Sequence, residues 1–169
     1  MSRSWIALAC VLAASLAVLG LAGAHVHDEA PPVPEHVVTT DGRELVGPGV
    51  VAAGADVWRS LGGMALGSVW GRGAEIAPDW TADWLHREAV YTLDRWARDE
   101  WGQSFAQLDP EEQGGLVRRL TARMHANRYD PATRTLTVDP VRAEAFDANL
   151  DHYTDVFSEG RPEYAVPAR

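Results

Sequence analysis

Residues 67–101 read GSVWGRGAEIAPDWTADWLHREAVYTLDRWARDEW, and the reading of this stretch decides the fold. It holds five of the chain's seven tryptophans: Trp70, Trp80, Trp84, Trp96 and Trp101. Tryptophan has a large apolar body to bury, so this density marks a core or an interface. The first part is a glycine-rich loop that ends at Ala77-Pro78. Asp79 is placed to cap a helix, and Asp83 falls in the first turn, where the helix dipole favours negative charge. Leu85, Ala89, Leu93, Trp96 and Ala97 then fall on one helical face, which predicts its buried side. Asp83/Arg87, Asp94/Arg98 and Arg95/Asp99 are i,i+4 pairs on the wetter side, and Gly102 stops the helix.

Working outward, Asp109-Pro110-Glu111-Glu112 starts a second helix with a cap, a proline at N1 and an acid at N3. Its apolar stripe is Leu116, Val117, Leu120 and Met124, while Gly114 and Gly115 each cost about 1 kcal/mol relative to Ala. Residues 129–134 turn the chain, and Thr135–Val138 alternates like a short strand. Asp139-Pro140 caps a last helix with Phe146, Leu150, Tyr153 and Phe157 as its stripe. Gly160 closes it, and the tail to Arg169 is short and polar. Upstream, residues 37–40 and 43–46 flank Asp41-Gly42 and predict a small β-hairpin. Gly47-Pro48-Gly49 breaks the chain, and residues 50–61 read as a short helix. Val50, Val51, Ala53, Val57, Trp58 and Leu61 are its candidate buried positions. The expected fold is mainly α with a small β-hairpin.

The chain has 169 residues, room for one domain plus an accessory segment. All 15 basic residues are arginine. From His25 onward 14 Arg stand against 24 Asp plus Glu, a formal charge of −10. Such a domain is a poor match to nucleic acid, and it avoids anionic lipid except where it is anchored. The single cysteine, Cys10, lies in the apolar N-terminal run. Intramolecular disulfides, a thiolate zinc site and covalent haem attachment through C-x-x-C-H are therefore excluded.

Trp5–Ala24 is an uncharged run of 20 residues. As a helix it would be about 30 Å long, enough to span the hydrocarbon core. Arg3 precedes it and His27, Asp28 and Glu29 follow, so the N-terminus is expected in the cytoplasm and the remainder outside, in a bacterium the periplasm. The competing reading is a signal peptide cleaved after Ala22-Gly23-Ala24, but the run is longer than the usual signal core. Ala30-Pro31-Pro32-Val33-Pro34 then forms a stiff spacer. The expected domains are a transmembrane anchor over 1–29 and an exported domain over 30–169.

Val46-Gly47-Pro48-Gly49, Val57-Trp58, Gly67-Ser68-Val69-Trp70-Gly71 and the run APDWTADWLHREA over 77–89 resemble the start of quinol-dependent nitric oxide reductase. Asn127–Pro131 (NRYDP) and Gly160–Tyr164 (GRPEY) are similar too, so the resemblance covers nearly all of the chain from Ala30 onward. It implies a first transmembrane helix followed by a periplasmic, cytochrome c-like domain without haem. A large helical haem–copper-type membrane domain would come next. Two-chain relatives carry a haem-bearing cytochrome c chain in which C-x-x-C-H precedes a G-x-G-A-Y-x-A-P loop. Here Gly71–Pro78 reads GRGAEIAP, which puts the haem motif on Gly63–Gly67. The thioether positions would be Gly63 and Leu66 and the axial position Gly67, so the ligands are absent. Bulky side chains, tryptophans among them, are expected to fill the vacated volume. Arg72 and Glu75 depart from the His and the aromatic common in that loop.

The resemblance also implies that the chain ends near the family's second transmembrane helix, as a truncated or split reading frame would. Haem b, haem b3, the non-haem iron and the NO site belong to the domain beyond. The whole enzyme would reduce two NO to N2O with electrons from quinol. This chain alone is expected to supply an anchor in the inner membrane, held in lipid through residues 5–24, and a periplasmic cap without catalysis. No catalytic, cofactor or metal residue is assigned within it.

Several residues still carry reactive chemistry. His25, His27 and Asp28 are metal-ligand types, yet no further ligand is fixed nearby and they read as a solvated stretch. Asp79 and Asp83 are explained by capping. His86 can titrate near neutral pH and, beside Glu88, is expected to pack or hydrogen-bond against the membrane domain. Trp80 and Trp84, one turn apart, are core residues or contacts to quinol or the membrane interface. Gly73 and Glu75 are candidates to contact a calcium ion bridging to the membrane domain, as the two-chain relatives suggest. Two alternatives remain: an independent membrane-anchored periplasmic binding or scaffold module, and a secreted protein released after Ala24.

Overall fold

The structure is a computed structural model that describes residues 3–28, 32–69, 79–164 and 166. The chain divides into two compact units, residues 1–33 and 34–169.

The first unit is helix α1, Arg3–Asp28. Its residues Arg3–Val26 are long and apolar enough to cross a membrane, with a mean hydropathy of 2.4. Leu, Val and Ala side chains on every side of this helix are exposed, as in a helix that needs an apolar solvent all round.

In the second unit the hairpin forms where Asp41-Gly42 predicts it. Strands β1 (His36–Thr39) and β2 (Glu44–Val46) pair antiparallel, and Gly42 takes φ 90° in the turn. The hairpin is not isolated, however. β1 also pairs in parallel with β4 (Thr135–Val138), and β3 (Tyr129–Asp130) pairs antiparallel with β4. The result is one four-stranded sheet in the order β2-β1-β4-β3. Residues 129–134, read from sequence only as a turn, therefore contain a strand. The Arg134 carbonyl accepts from the Glu35 and His36 N–H groups at 2.9 and 3.3 Å, which joins the two ends of the sheet's sequence.

Helix α2 spans Val50–Ser60, but its expected burial does not follow. Val50, Val51, Val57 and Leu61 are exposed, and only Trp58 turns toward the core. The apolar period is right, yet a single neighbouring layer covers just one side of the helix.

Helix α3 (Trp80–Trp101) is the central element. Asp79 caps it through Ala82 N–H, and Gly102 ends it in the left-handed conformation at φ 69°. All three i,i+4 ion pairs expected along it are present. Leu93, Trp96 and Ala97 are buried, whereas Leu85 is exposed, so the buried face drifts around the helix. Helix α4 (Pro110–His125) starts in a complete capping box between Asp109 and Glu112. Leu108 and Leu116 pack with Leu93, Trp96 and Ala97, joined by Phe105, Leu120 and Val141. Val117 stays exposed. The Arg119 guanidinium lies over the Trp96 ring at 4.2 Å, a cation–π contact that covers the core's outer edge.

Helix α5 (Pro140–Glu159) is capped by Asp139 through Arg142 N–H. Its buried line runs through Ala145, Asn149 and Val156, with the expected stripe rotated to one side. Leu150 and Phe157 are exposed and Phe146 and Tyr153 half-buried. Small residues on the contact line let α5 approach α3 closely, and Asn149 donates its side-chain amide to the Trp84 carbonyl at 3.2 Å.

Candidate functional site: the aromatic cluster at the head of the tryptophan helix

The start of α3 is fixed before its side chains are considered. Ser68 and Asp79 form a parallel bridge, and Trp80 N–H donates to the Ser68 carbonyl at 2.9 Å. The Ser68 hydroxyl donates to the Asp79 carboxylate at 2.7 Å. Residues 68 and 79 are thus tied together, and Trp80 follows directly into the interior.

Trp80 is the hub of an aromatic cluster. Its ring meets Trp58 edge-on at 6.3 Å and Tyr153 at 6.0 Å, lies 5.5 Å from Phe157, and stacks on Tyr164 at 5.5 Å. Trp84 stacks on Tyr153 at 5.5 Å, with ring planes 3° apart. These edge-to-face and offset arrangements are the favourable geometries for aromatic pairs. They line an open pocket of about 210 Å³ formed by Trp58, Val69, Trp80, Trp84, Tyr153 and Phe157. The indole N–H groups of Trp58 and Trp80 are buried without a hydrogen-bond partner. An unpaired buried donor costs about 1–3 kcal/mol, so the two indoles are held by packing rather than by polar bonds of their own.

Trp58 also settles what happens at Gly63. The short 3-10 turn Gly63–Ala65 follows α2, and the Trp58 indole lies flat against Gly63. A Cβ at position 63 would sit 2.1 Å from Trp58 Cδ2 and 2.3 Å from Cε2, inside the ring's van der Waals surface. Position 63 is where the resemblance places the first thioether cysteine. The lone cysteine is Cys10, in α1. The residues at this place do not fit a covalently held haem, because a tryptophan occupies the space of the attachment side chain.

A polar layer lies behind the aromatic one. Asp83 Oδ2 accepts from the Tyr153 hydroxyl at 2.7 Å, from Arg87 Nε at 3.0 Å and from the Tyr164 hydroxyl at 3.1 Å. Arg87 also donates to Tyr164, whose oxygen lies 3.2 Å from His152 Nε2. Burial pushes the Asp83 carboxyl up, but the tyrosine and arginine hydrogen bonds and the Arg87 charge outweigh it and hold it below the usual range. Burial and the neighbouring Asp83 carboxylate push the Tyr153 phenol up. Burial, then the Arg87 charge, lowers His152. A carboxylate held charged among donors and phenols held protonated make a locking network.

The other sequence candidates do not converge. Asp79 is a cap. Glu88 is buried and pairs with Arg142 Nε, which makes it structural. His86 is exposed on the rim of a groove of about 380 Å³ that also includes Tyr91, Asn149 and His152. Trp80 is a core residue, and Trp84 is half-buried. His25 is exposed on α1, while the side chains of His27 and Asp28 lie outside the described residues. So do Trp70 and the loop with Arg72, Gly73 and Glu75. Among the described residues no three His, Cys, Asp or Glu side chains group to hold a metal ion.

Sequence reasoning missed Tyr164 and Tyr153 as partners of Asp83. The tail after Gly160 is not merely polar: residues 162–164 form a 3-10 turn, Arg161 bridges Val166, and Tyr164 is buried against Trp80. Tyr164 and Val166, apolar bodies in the tail, were the available signal.

A family model described as the cytochrome c-like domain of the nitric oxide reductase chain NorB matches residues 34–169. That match takes in the whole of the second unit. No curated protein matches the chain.

Proposed function

The chain belongs to the NorB cytochrome c-like domain family of nitric oxide reductase, and we propose that it works there as a haem-free periplasmic cap with an N-terminal anchor. In this reading α1 holds the chain in a bacterial inner membrane, with the N-terminus cytoplasmic and residues 25–169 periplasmic. The catalytic domain, with haem b, haem b3 and non-haem iron, is a separate membrane-embedded part that takes electrons from quinol and joins two NO into N2O. The cap contributes structure and docking, and electron transfer does not pass through it.

The observation that carries the haem-free reading is the Trp58 ring seated on Gly63. A domain that attached haem would need a side chain there, and the aromatic cluster supplies apolar core in its place. The test is direct. The full chain, produced in a host that matures c-type cytochromes and purified in detergent, is expected to show no Soret band and no NO consumption. A Soret band with stoichiometric haem would overturn the reading. The open pocket beside Trp80 favours a second reading, an anchored binding module. A small aromatic compound that raises the melting temperature of the isolated chain would support that alternative.

A further inference from the structure

The tail after α5 is held by few contacts. Residues 162–164 form a 3-10 turn, and Arg161 and Val166 bridge through N–H to carbonyl bonds of 2.8 and 3.1 Å. Arg161 also pairs with Asp155 at the surface, and Val166 packs against the aromatic cluster. Tyr164 is the buried anchor, its ring stacked on Trp80 and its hydroxyl set in the polar layer. A segment with so few contacts opens at lower free energy than the core.

The Tyr164 hydroxyl fixes the state of its neighbours. It has one hydrogen and two lone pairs. Three groups meet it: Asp83 Oδ2 at 3.1 Å, His152 Nε2 at 3.2 Å and the Arg87 guanidinium. A carboxylate only accepts and a guanidinium only donates. Tyr164 therefore donates to Asp83 and accepts from Arg87, and its second lone pair accepts from His152 Nε2–H. In the neutral ring Nδ1 then holds the lone pair, so a second proton on His152 must arrive there.

That proton finds no unmatched carboxylate. The charged and titratable groups facing His152 are Asp83 and Arg87 from α3, Tyr153 and Asp155 from α5, and Tyr164 and Arg161 from the tail. Asp83 is matched by Arg87, and Asp155 by Arg161. Protonation would leave one carboxylate and two cations around a buried phenol. His152 also borders the groove of about 380 Å³ that takes in His86 and Asp94, and Asp94 is held by Arg98 and the Phe105 N–H. The groove gives a charged ring room to turn toward water, which breaks its bond to Tyr164.

We propose that residues 160–164 form an acid-released latch, in which a proton on His152 frees Tyr164 from Trp80 while the helices stay folded. Burial, then the Arg87 charge, lowers His152, so the proton and the docked tail exclude each other. Docking is complete above the ordinary histidine range and weakens as pH falls below about 6.5.

The test is hydrogen exchange, read by mass spectrometry on the full chain in detergent at about pH 7.5 and about pH 5, either side of the ordinary histidine pKa. Rates are corrected for their intrinsic pH dependence. Residues 160–164 are expected to be at least about tenfold less protected than residues 93–97 in the core, which marks local opening. Their protection is expected to fall about fivefold or more at the lower pH, with a ceiling of roughly thirtyfold, the ratio of charged to neutral histidine there. His152→Gln keeps a side-chain donor for Tyr164 without a titrating ring and is expected to abolish the fall. His86→Gln, altered in the same groove, is expected to retain it. Tyr164→Phe keeps the ring, removes the hydroxyl and is expected to lose tail protection at the higher pH. Equal protection of tail and core overturns the latch, since the tail would then leave only with global unfolding. So does a tail whose protection ignores pH, a fall that survives His152→Gln or is lost in His86→Gln, or a Tyr164→Phe tail as protected as the unaltered one.

Discussion

Gly63→Ala is the smallest change that tests whether Trp58 occupies the space of a lost attachment side chain. The added methyl would lie 2.1, 2.3 and 2.6 Å from three carbons of the indole. Ordinary carbon contacts begin near 3.5 Å, so a gap of more than about 1 Å must be opened. Trp58 cannot retreat freely, because Trp80 stands edge-on at 6.3 Å and Phe157 at 6.1 Å. Forcing extra volume into a packed site typically costs about 1–3 kcal/mol. For a unit of 136 residues (34–169), unfolding entropy near 2.1 cal/mol/K per residue converts each kcal/mol to roughly 3.5 °C. The expected fall in melting temperature is therefore about 4–10 °C, read by circular dichroism on the full chain in detergent.

Trp58→Ala alone removes a half-buried ring and should cost about 2–3 kcal/mol. The double variant separates clash from general damage. With the ring gone, the methyl at 63 has room, so the two losses should fall short of adding by about 1–2 kcal/mol. A melting temperature for Gly63→Ala within 1 °C of the unaltered chain would refute the packing argument. Strict additivity in the double variant would refute it equally.

Three further outcomes follow from the polar layer and the caps. Asp83→Asn keeps the shape but removes the charge that accepts from Tyr153, Arg87 and Tyr164, and should cost about 2–3 kcal/mol by urea titration at pH 7. Because Asp83 is held below its unfolded value, its contribution is complete above the ordinary carboxylate range, near pH 4, and is lost as pH falls through the lower folded value; Asp83→Asn should flatten that acid limb. His152 is also lowered, so the neutral ring favours the fold and stability should decline as pH drops below about 6.5, a slope that His152→Gln should remove. Asp109→Ala deletes the acceptor for the Glu111 and Glu112 N–H groups, both at 2.9 Å, and is expected to cost about 1–2 kcal/mol by the same titration.

Local chemistry was legible in the sequence, and long-range pairing was not. Asp79, Asp109 and Asp139 cap the helices they were expected to cap, because a cap is decided within three residues. The Asp41-Gly42 turn closes the hairpin for the same reason. The parallel pairing of His36–Thr39 with Thr135–Val138 joins two four-residue strands nearly a hundred residues apart. Segments that short carry too little pattern to specify a partner. Burial on α5 went to Ala145, Asn149 and Val156 because close helix approach selects small residues, while a hydrophobic period selects large ones. In α2 the period shows which residues are apolar but not which side has a neighbour.

Asp83 shows how a correct local reading can hide a second role. A carboxylate in the first turn of α3 is favoured by the helix dipole, and that explanation is complete by sequence. In the structure the same oxygen receives Tyr153 and Tyr164 from 70 and 81 residues away. Those phenols belong to the rings that surround Trp80. The polar network therefore positions the aromatic cluster: Asp83 fixes two hydroxyls, the hydroxyls fix two rings, and the rings fix Trp80. Trp58 meets Trp80 in turn and closes over Gly63. A cytochrome orders the equivalent space around a rigid cofactor. Here a charged residue at one helix start does the ordering, through side chains brought in from α5 and the tail. On this account damage at Asp83 should reach Gly63 through the rings.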